Sequence, residues 1–364
     1  MLVAAVAIVA IVLPSWSRAQ LDAVVTLAIT QQTPVVAPLV RLLTAGPRVE
    51  EVVIAGQPTT LARPAGGAGG WPAIVFVNGA TRQGRHHPKV QRLARGLARA
   101  GFLVAVPELP GLRLGMITPA TTEAATRVAL AVAKRADVRG GRVSFYGVSV
   151  GATLSLLAAE QPVLAGRVRA IGGEAPWVDL VKVIRLATTG YYGRMRYRTD
   201  PYVRLAIARS LAAGLPQADD RAQLLALLEA VPDGDARPLK PLRVALRLHA
   251  GGRALVSLLL NRDPARFEAL YAQLPARLRH GVALLSPLRG ARRLEVPVEL
   301  ASAPHDKYFP PPESRSLARR SEHVRATVTS TLDHAVPRLS VRDIGDLAAF
   351  DEFIVRFIHE AQAR

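Results

Sequence analysis

The sequence predicts an α/β protein: a doubly wound, mostly parallel sheet covered by helices on both faces, with a helical cap inserted between two of its strands. Three observations lead there. From Arg48 onward, short apolar runs alternate with helical stretches, the pattern of strands buried on both faces. The stretch Tyr146-Gly147-Val148-Ser149-Val150-Gly151-Ala152 has G-x-S-x-G spacing and lies directly between one such strand and a helix. The interval 178–293 breaks the rhythm, being helix-rich and punctuated at Pro216, Pro232-Asp233-Gly234, Pro238, Pro241 and Pro264. At 364 residues the chain exceeds the roughly 250–300 residues at which single cores stop growing, so a core with an added unit is the expected division.

At the amino terminus, residues 2–13 are an unbroken apolar run closed by Pro14, Trp16 and Arg18. The run is shorter than the roughly 20 residues of a spanning helix and suits a signal-peptide core. Ser17-Arg18-Ala19 places small residues at the −3 and −1 positions of a cleavage site before Gln20, although a basic leader segment is missing. Residues 1–19 are therefore expected to be a hydrophobic leader, either signal peptide or membrane anchor, making the protein secreted or membrane-anchored, with a cytoplasmic location as the alternative. A second apolar stretch, 23–43, is broken by Gln31, Gln32, Pro34, Pro38 and Arg41, so 20–47 reads as a linker or peripheral helix.

The core is expected to comprise 48–177 and 294–364. Its strands are placed at 49–54, 59–63, 73–77, 102–106, 142–146, 168–172, 296–301 and 325–329 from β-branched and apolar runs bounded by turn residues. Helices fit between them. The segment 89–100 carries Val90, Leu93 and Leu97 on one face, 121–136 carries Val128 and Val132, and 151–160 is apolar nearly all round. The last helix, 347–359, aligns Phe350, Phe353, Ile354, Phe357 and Ile358, with Asp346 as the expected N-cap. The insert 178–293 reads as a cap over a site, because additions to a rigid sheet gather where function sits.

Composition removes several function classes. The 47 basic residues exceed the 28 acidic ones for a formal charge of +19, yet only five are lysines and the arginines are scattered from Arg18 to Arg364. No basic run, zinc-finger spacing or RNP-type pattern accompanies them, so no nucleic-acid partner is expected, and the charge favours anionic lipid or acidic substrates. The absence of cysteine excludes disulfides, thiolate metal sites and a thiol nucleophile. His86-His87 lacks an accompanying carboxylate cluster, and nothing resembles a phosphate loop or dinucleotide fingerprint, so neither metal nor cofactor is expected.

In a strand–turn–helix context, Ser149 would be held in a strained turn at the amino end of a helix, where the dipole favours developing negative charge. A serine needs a base and a group to orient that base. Among eight histidines, His334 follows the last strand and precedes the last helix, and Asp306 follows the penultimate strand. The chain order Ser149, Asp306, His334 is a known order for a nucleophile–acid–base triad on this architecture. Glu174, after the strand 168–172, is an alternative acid.

These residues make the chain resemble the α/β-hydrolase superfamily, in particular its dienelactone-hydrolase-like and lidded esterase branches, from Val49 to the carboxy terminus without the insert. The resemblance implies a serine hydrolase that cleaves a small-molecule carboxylic ester or thioester through an acyl-Ser149, with His334 as base then acid and Asp306 holding its tautomer. It implies an oxyanion hole from the amide of Val150 and one from the loop Val77-Asn78-Gly79-Ala80-Thr81, with Ala80 as the second donor. Relatives usually carry His-Gly where this chain has Asn78-Gly79. The insert, with its Leu and Ala faces and Tyr191, Tyr192 and Tyr202, would wall an apolar acyl pocket. An acyltransferase using the same triad and a catalytically silent binding protein on the same fold are the alternatives.

Overall fold

The computed structural model describes residues 14–67, 69–243, 247–338 and 343–363. The apolar run 2–13, and with it most of the expected leader, lies outside the described residues. Eight strands form one sheet: β1 (Arg48–Ile54), β2 (Gln57–Arg63), β3 (Trp71–Val77), β4 (Leu103–Pro107), β5 (Val138–Val148), β6 (Val168–Glu174), β9 (Val298–Ser302) and β10 (Val324–Val328). Their order is β1-β2-β4-β3-β5-β6-β9-β10. The β1–β2 and β2–β4 pairs are antiparallel, and every pairing from β4 to β10 is parallel. The uninterrupted apolar sequences of β3 and β4 follow from their central position, since almost every residue in them is buried from both sides.

One face of the sheet packs against α4 (Pro119–Ala133) and α5 (Val150–Ala159). The other packs against α3 (Pro88–Arg99) and α13 (Ile344–Gln362), and outside these lies α1 (Pro14–Gln31). The expected boundary at 19/20 thus falls inside one continuous helix. Ala19 and Ala23 of α1 are fully buried. Gly96 lets α1 approach α3, because a Cβ there would sit 2.8 Å from the Thr26 carbonyl oxygen. Against α13, Trp16 stacks on His359 with ring centroids 4.2 Å apart, Gln20 donates to Asp351, and Gln362 donates to Asp22 at 2.6 Å. The short α2 (Val36–Leu43) follows and leaves Leu39, Leu42 and Leu43 exposed. No single helix among the described residues is long and apolar enough to cross a membrane, and the pair Trp16–Gln31 and Val36–Leu43 is bent by 118°.

Between β6 and β9 the chain forms α6 (Leu180–Thr189), α7 (Pro201–Ala213), α8 (Ala218–Glu229), α9 (Ala250–Leu260), α10 (Phe267–Ala272) and α11 (Ala276–Leu284). A hairpin of two-residue strands, β7 (Tyr191–Tyr192) and β8 (Met195–Arg196), interrupts what reads in sequence as a strand-free interval. Two buried charged residues tie this segment down. Glu313 of α12 (Pro312–Ala318) accepts from the amides of Val178 and Asp179 and from the Tyr192 hydroxyl. Arg209 donates to the carbonyls of Leu114, Leu228 and Val231 and to Asp233. The last helix starts at Ile344 with Asp343 as its N-cap, one turn earlier than the apolar stripe suggests. Asp346 instead accepts from the Ser330 amide at 3.1 Å, holding the end of β10 to α13.

Candidate active site

Strand β5 ends at Val148, and Ser149 takes φ 56° and ψ −125° before α5 begins at Val150. This backbone region is costly for a side-chain-bearing residue and persists only where its surroundings impose it. Here they do. A Cβ at Gly147 would meet the Ala152 backbone at 2.4 Å, and one at Gly151 would meet the Val77 carbonyl oxygen at 2.0 Å. The Ser149 amide is tied across the sheet to the Glu174 carbonyl at 2.7 Å. Five non-glycine residues have positive φ among the described residues, and Ser149, Ala175 and His334 of these lie together here. Backbone strain is concentrated at this edge of the sheet.

The structure brings the three sequence-derived residues into one hydrogen-bonded chain. His334 occupies the turn of a hairpin between β11 (Leu332–Asp333) and β12 (Val336–Pro337), beyond β10. Its Nε2 lies 2.9 Å from Ser149 Oγ, and its Nδ1 lies 2.8 Å and 3.0 Å from the two carboxylate oxygens of Asp306. Asp306 is almost completely buried, and its Oδ1 also accepts from the amides of Tyr308 and Phe309. Those bonds fix the carboxylate so that it faces the imidazole. Tyr308 packs against the His334 ring with centroids 4.3 Å apart, and the Tyr197 hydroxyl donates to the Asp306 carbonyl. Tyr197 and Tyr308 carry no motif that sequence reading could have used.

Glu174 is not the partner of His334. Its carboxyl accepts from the Tyr146 hydroxyl beneath the elbow, on the sheet face that packs against α13, and burial pushes it up to about 7. The expected oxyanion donors also fall beside Ser149. Val150 opens α5, so its N–H has no acceptor within the helix. Ala80 lines the same cavity, and its amide makes no hydrogen bond among the described residues. Asn78 is buried and donates from Nδ2 to the Gly79 carbonyl at 2.8 Å, shaping the loop. His87 caps α3 by accepting from the Lys89 amide, and His249 is hydrogen-bonded to Asp220, so both have structural partners.

A cavity of about 1040 Å³ opens at Ser149 and His334. On the insert side its wall is mixed, with Asp200, Ser210 and Asp233 beside Val203, Ala206 and Ile207. Asp233 also bridges to Arg82 of the neighbouring core loop at 2.9 Å, spanning the two sides of the opening. The tyrosine part of the expected apolar wall is corrected for Tyr191 and Tyr192. Only Tyr202 of the three lines the cavity, because the Tyr192 hydroxyl turns away to Glu313.

No family model matches the sequence, and no curated protein matches it. Solved structures with a similar course of the chain include a hyperthermophilic esterase from Pyrobaculum calidifontis, at 16% identity over 94% of this chain and 88% of that one, TM-score 0.48. DcsB in complex with its substrate analogue aligns at 15% identity over 86% and 99%, TM-score 0.49. Pyrococcus horikoshii acylaminoacyl peptidase aligns at 13% identity, TM-score 0.47, where 88% of this chain spans 42% of the peptidase. Strand order, the strained serine turn between β5 and α5, and the positions of Asp306 and His334 after β9 and β10 give the chain the α/β-hydrolase fold.

Proposed function

We propose that the protein is a serine hydrolase that cleaves a carboxylic ester or thioester. The observation that carries this reading is the continuous hydrogen-bonded chain from Ser149 through His334 to buried Asp306. In the proposed reaction, Ser149 Oγ attacks the carbonyl carbon while His334 Nε2 takes its proton. The carbonyl oxygen becomes an oxyanion facing the Val150 and Ala80 amides, donors already oriented before charge develops. Asp306 accepts the hydrogen bond from Nδ1–H and stabilises the imidazolium. The tetrahedral intermediate collapses as His334 returns the proton to the leaving alcohol or thiol, giving acyl-Ser149. Water then attacks the acyl carbon as His334 takes its proton, and the second tetrahedral intermediate collapses as His334 returns that proton to the departing Ser149 Oγ, releasing the acid.

A small fluorophosphonate tests the nucleophile, since it phosphonylates an activated serine without needing the natural substrate. Wild-type protein should be labelled and Ser149→Ala should not, with ester turnover falling about 10⁴-fold or more in the variant. Equal labelling of both proteins would remove the assignment.

We further propose that the exposed face of α2 docks on an anionic lipid surface. Support comes from Leu39, Leu42 and Leu43 standing in solvent beside exposed Arg41 and Arg48, in a chain with a formal charge of +19. An apolar helical face bordered by arginine is the combination that lies in a membrane interface.

A further inference from the structure

A second cavity, of about 500 Å³, is formed in the insert by α7, the segment joining α8 to α9, and the end of α9. Nine residues line it, of which four are apolar and five are basic: Arg204, Arg237, Lys240, Arg243 and Arg262. Across the whole chain 47 residues in 364 are basic, so the arginine-rich background does not account for five in nine.

Two of the five have a structural task. Arg204 donates to the Ala187 and Thr188 carbonyls in the last turn of α6, and Arg262 donates to Thr188 and to Leu259 and Asn261 at the end of α9. Helix carboxy ends leave carbonyls without partners and favour cations, so these bonds explain why two arginines stand here. They also bring two guanidinium groups onto one acceptor, the Thr188 carbonyl, at 2.9 and 3.0 Å. The like charges oppose each other. Burial and then Arg262 push Arg204 down to about 10, and loss of hydration and then Arg243 lower Arg262. Both stay charged at neutral pH.

Capping does not explain the other three. Arg237, Lys240 and Arg243 are exposed, and their side chains make no hydrogen bond or ion pair among the described residues. Nor does a carboxylate offset the group. None lines the cavity, and Asp235 and Asp263, the acidic residues closest to them in the chain, accept from the amides of Arg237 and Ala265. Like charges gathered around a concave space repel, and an anion between them turns that repulsion into attraction. Guanidinium forks fit phosphate oxygens in pairs. Five positive charges around about 500 Å³ call for several negative charges in a small volume, which linked or neighbouring phosphates supply.

We propose that this pocket binds a compact polyanion carrying two or more phosphate groups. None of its nine lining residues lines the catalytic cavity, although α7 serves both, giving Tyr202 and Ala206 to the one and Arg204 to the other. The site stands whether or not Ser149 is a nucleophile.

Calorimetric titration with inorganic tripolyphosphate tests it, at about 0.15 M ionic strength, where exposed charges more than about 8 Å away are screened. Wild-type protein should bind tripolyphosphate saturably and inorganic phosphate much more weakly. Arg237→Glu with Arg243→Glu alters two exposed side chains that have no bonds to lose, and should weaken binding about tenfold or more. Arg95→Glu with Arg320→Glu, exposed on the core, removes the same charge and should leave binding within about twofold of wild type. Absence of saturable binding overturns the proposal. So does equal weakening by the two pairs of substitutions, since overall charge then accounts for the affinity. Phosphatidylcholine vesicles containing a bisphosphorylated phosphatidylinositol separate the two sources of phosphate. Cosedimentation that falls with Arg237→Glu and Arg243→Glu assigns the pocket to a lipid headgroup, and cosedimentation that persists while tripolyphosphate binding falls assigns it to a soluble ligand.

Discussion

Asp306 and Glu174 are carboxylates that follow or end neighbouring strands of the same sheet, and their surroundings set them different tasks. Asp306 receives two backbone amides and faces His334, whereas Glu174 receives one tyrosine hydroxyl in an apolar setting. Sequence position alone left both open as the acid, because the outcome depends on which face of the sheet each side chain leaves. Burial raises Glu174 from 4.5 to about 7, so the folded protein retains a proton that the unfolded chain releases at lower pH. The folded-state value lies above the unfolded one. The stabilisation is therefore fully present below about pH 4.5 and is lost as pH rises towards and through 7, amounting to something on the order of 3 kcal/mol. Glu174→Gln keeps the acceptor for Tyr146 and removes the titration. Urea unfolding at pH 5 and pH 8 should show a smaller loss of stability for the variant across that interval, and parallel losses would contradict the buried carboxyl. Glu160, also raised to about 7 by burial, is present in both proteins and cancels from the difference.

At the scale of elements, the sequence pattern located every strand of the main sheet to within a few residues, because apolar runs bounded by turns report burial directly. Ends were less legible. Asp346 fits an N-cap by pattern, yet the helix extends back to Asp343 because Ser330 provides Asp346 with a different partner. The packing of α1 was invisible for a related reason: alanines and one glycine mark close helix approach only once the facing helix is known. Gly96 makes the point testable. Alanine in place of glycine ordinarily stabilises a helix interior by about 1 kcal/mol. Here its Cβ would press on the Thr26 carbonyl, and overpacking of this kind costs about 1–3 kcal/mol. Gly96→Ala should therefore lower the unfolding midpoint, and a raised midpoint would show that α1 does not rest on α3.

For the whole molecule, the net charge of +19 is carried by dispersed arginines and singles out no surface. The structure concentrates the question on α2, whose Leu39, Leu42 and Leu43 stand in solvent with exposed Arg41 between them in the chain. Protein should cosediment with phosphatidylglycerol vesicles and much less with phosphatidylcholine vesicles, and the difference should shrink as salt rises through the range where the Debye length falls below about 8 Å. Leu42→Asp with Leu43→Asp should lower binding at least tenfold, and unchanged binding would exclude this face. The lodging of α1 also sets the order in which its faces can be covered. It rests on α3, which follows early in the chain, whereas Gln20 and Asp22 find their partners, Asp351 and Gln362, 331 and 340 residues further on, and Trp16 stacks on neighbouring His359. Until α13 has been made, α1 has only α3 to lean on, and the arrival of α13 closes the face that remains.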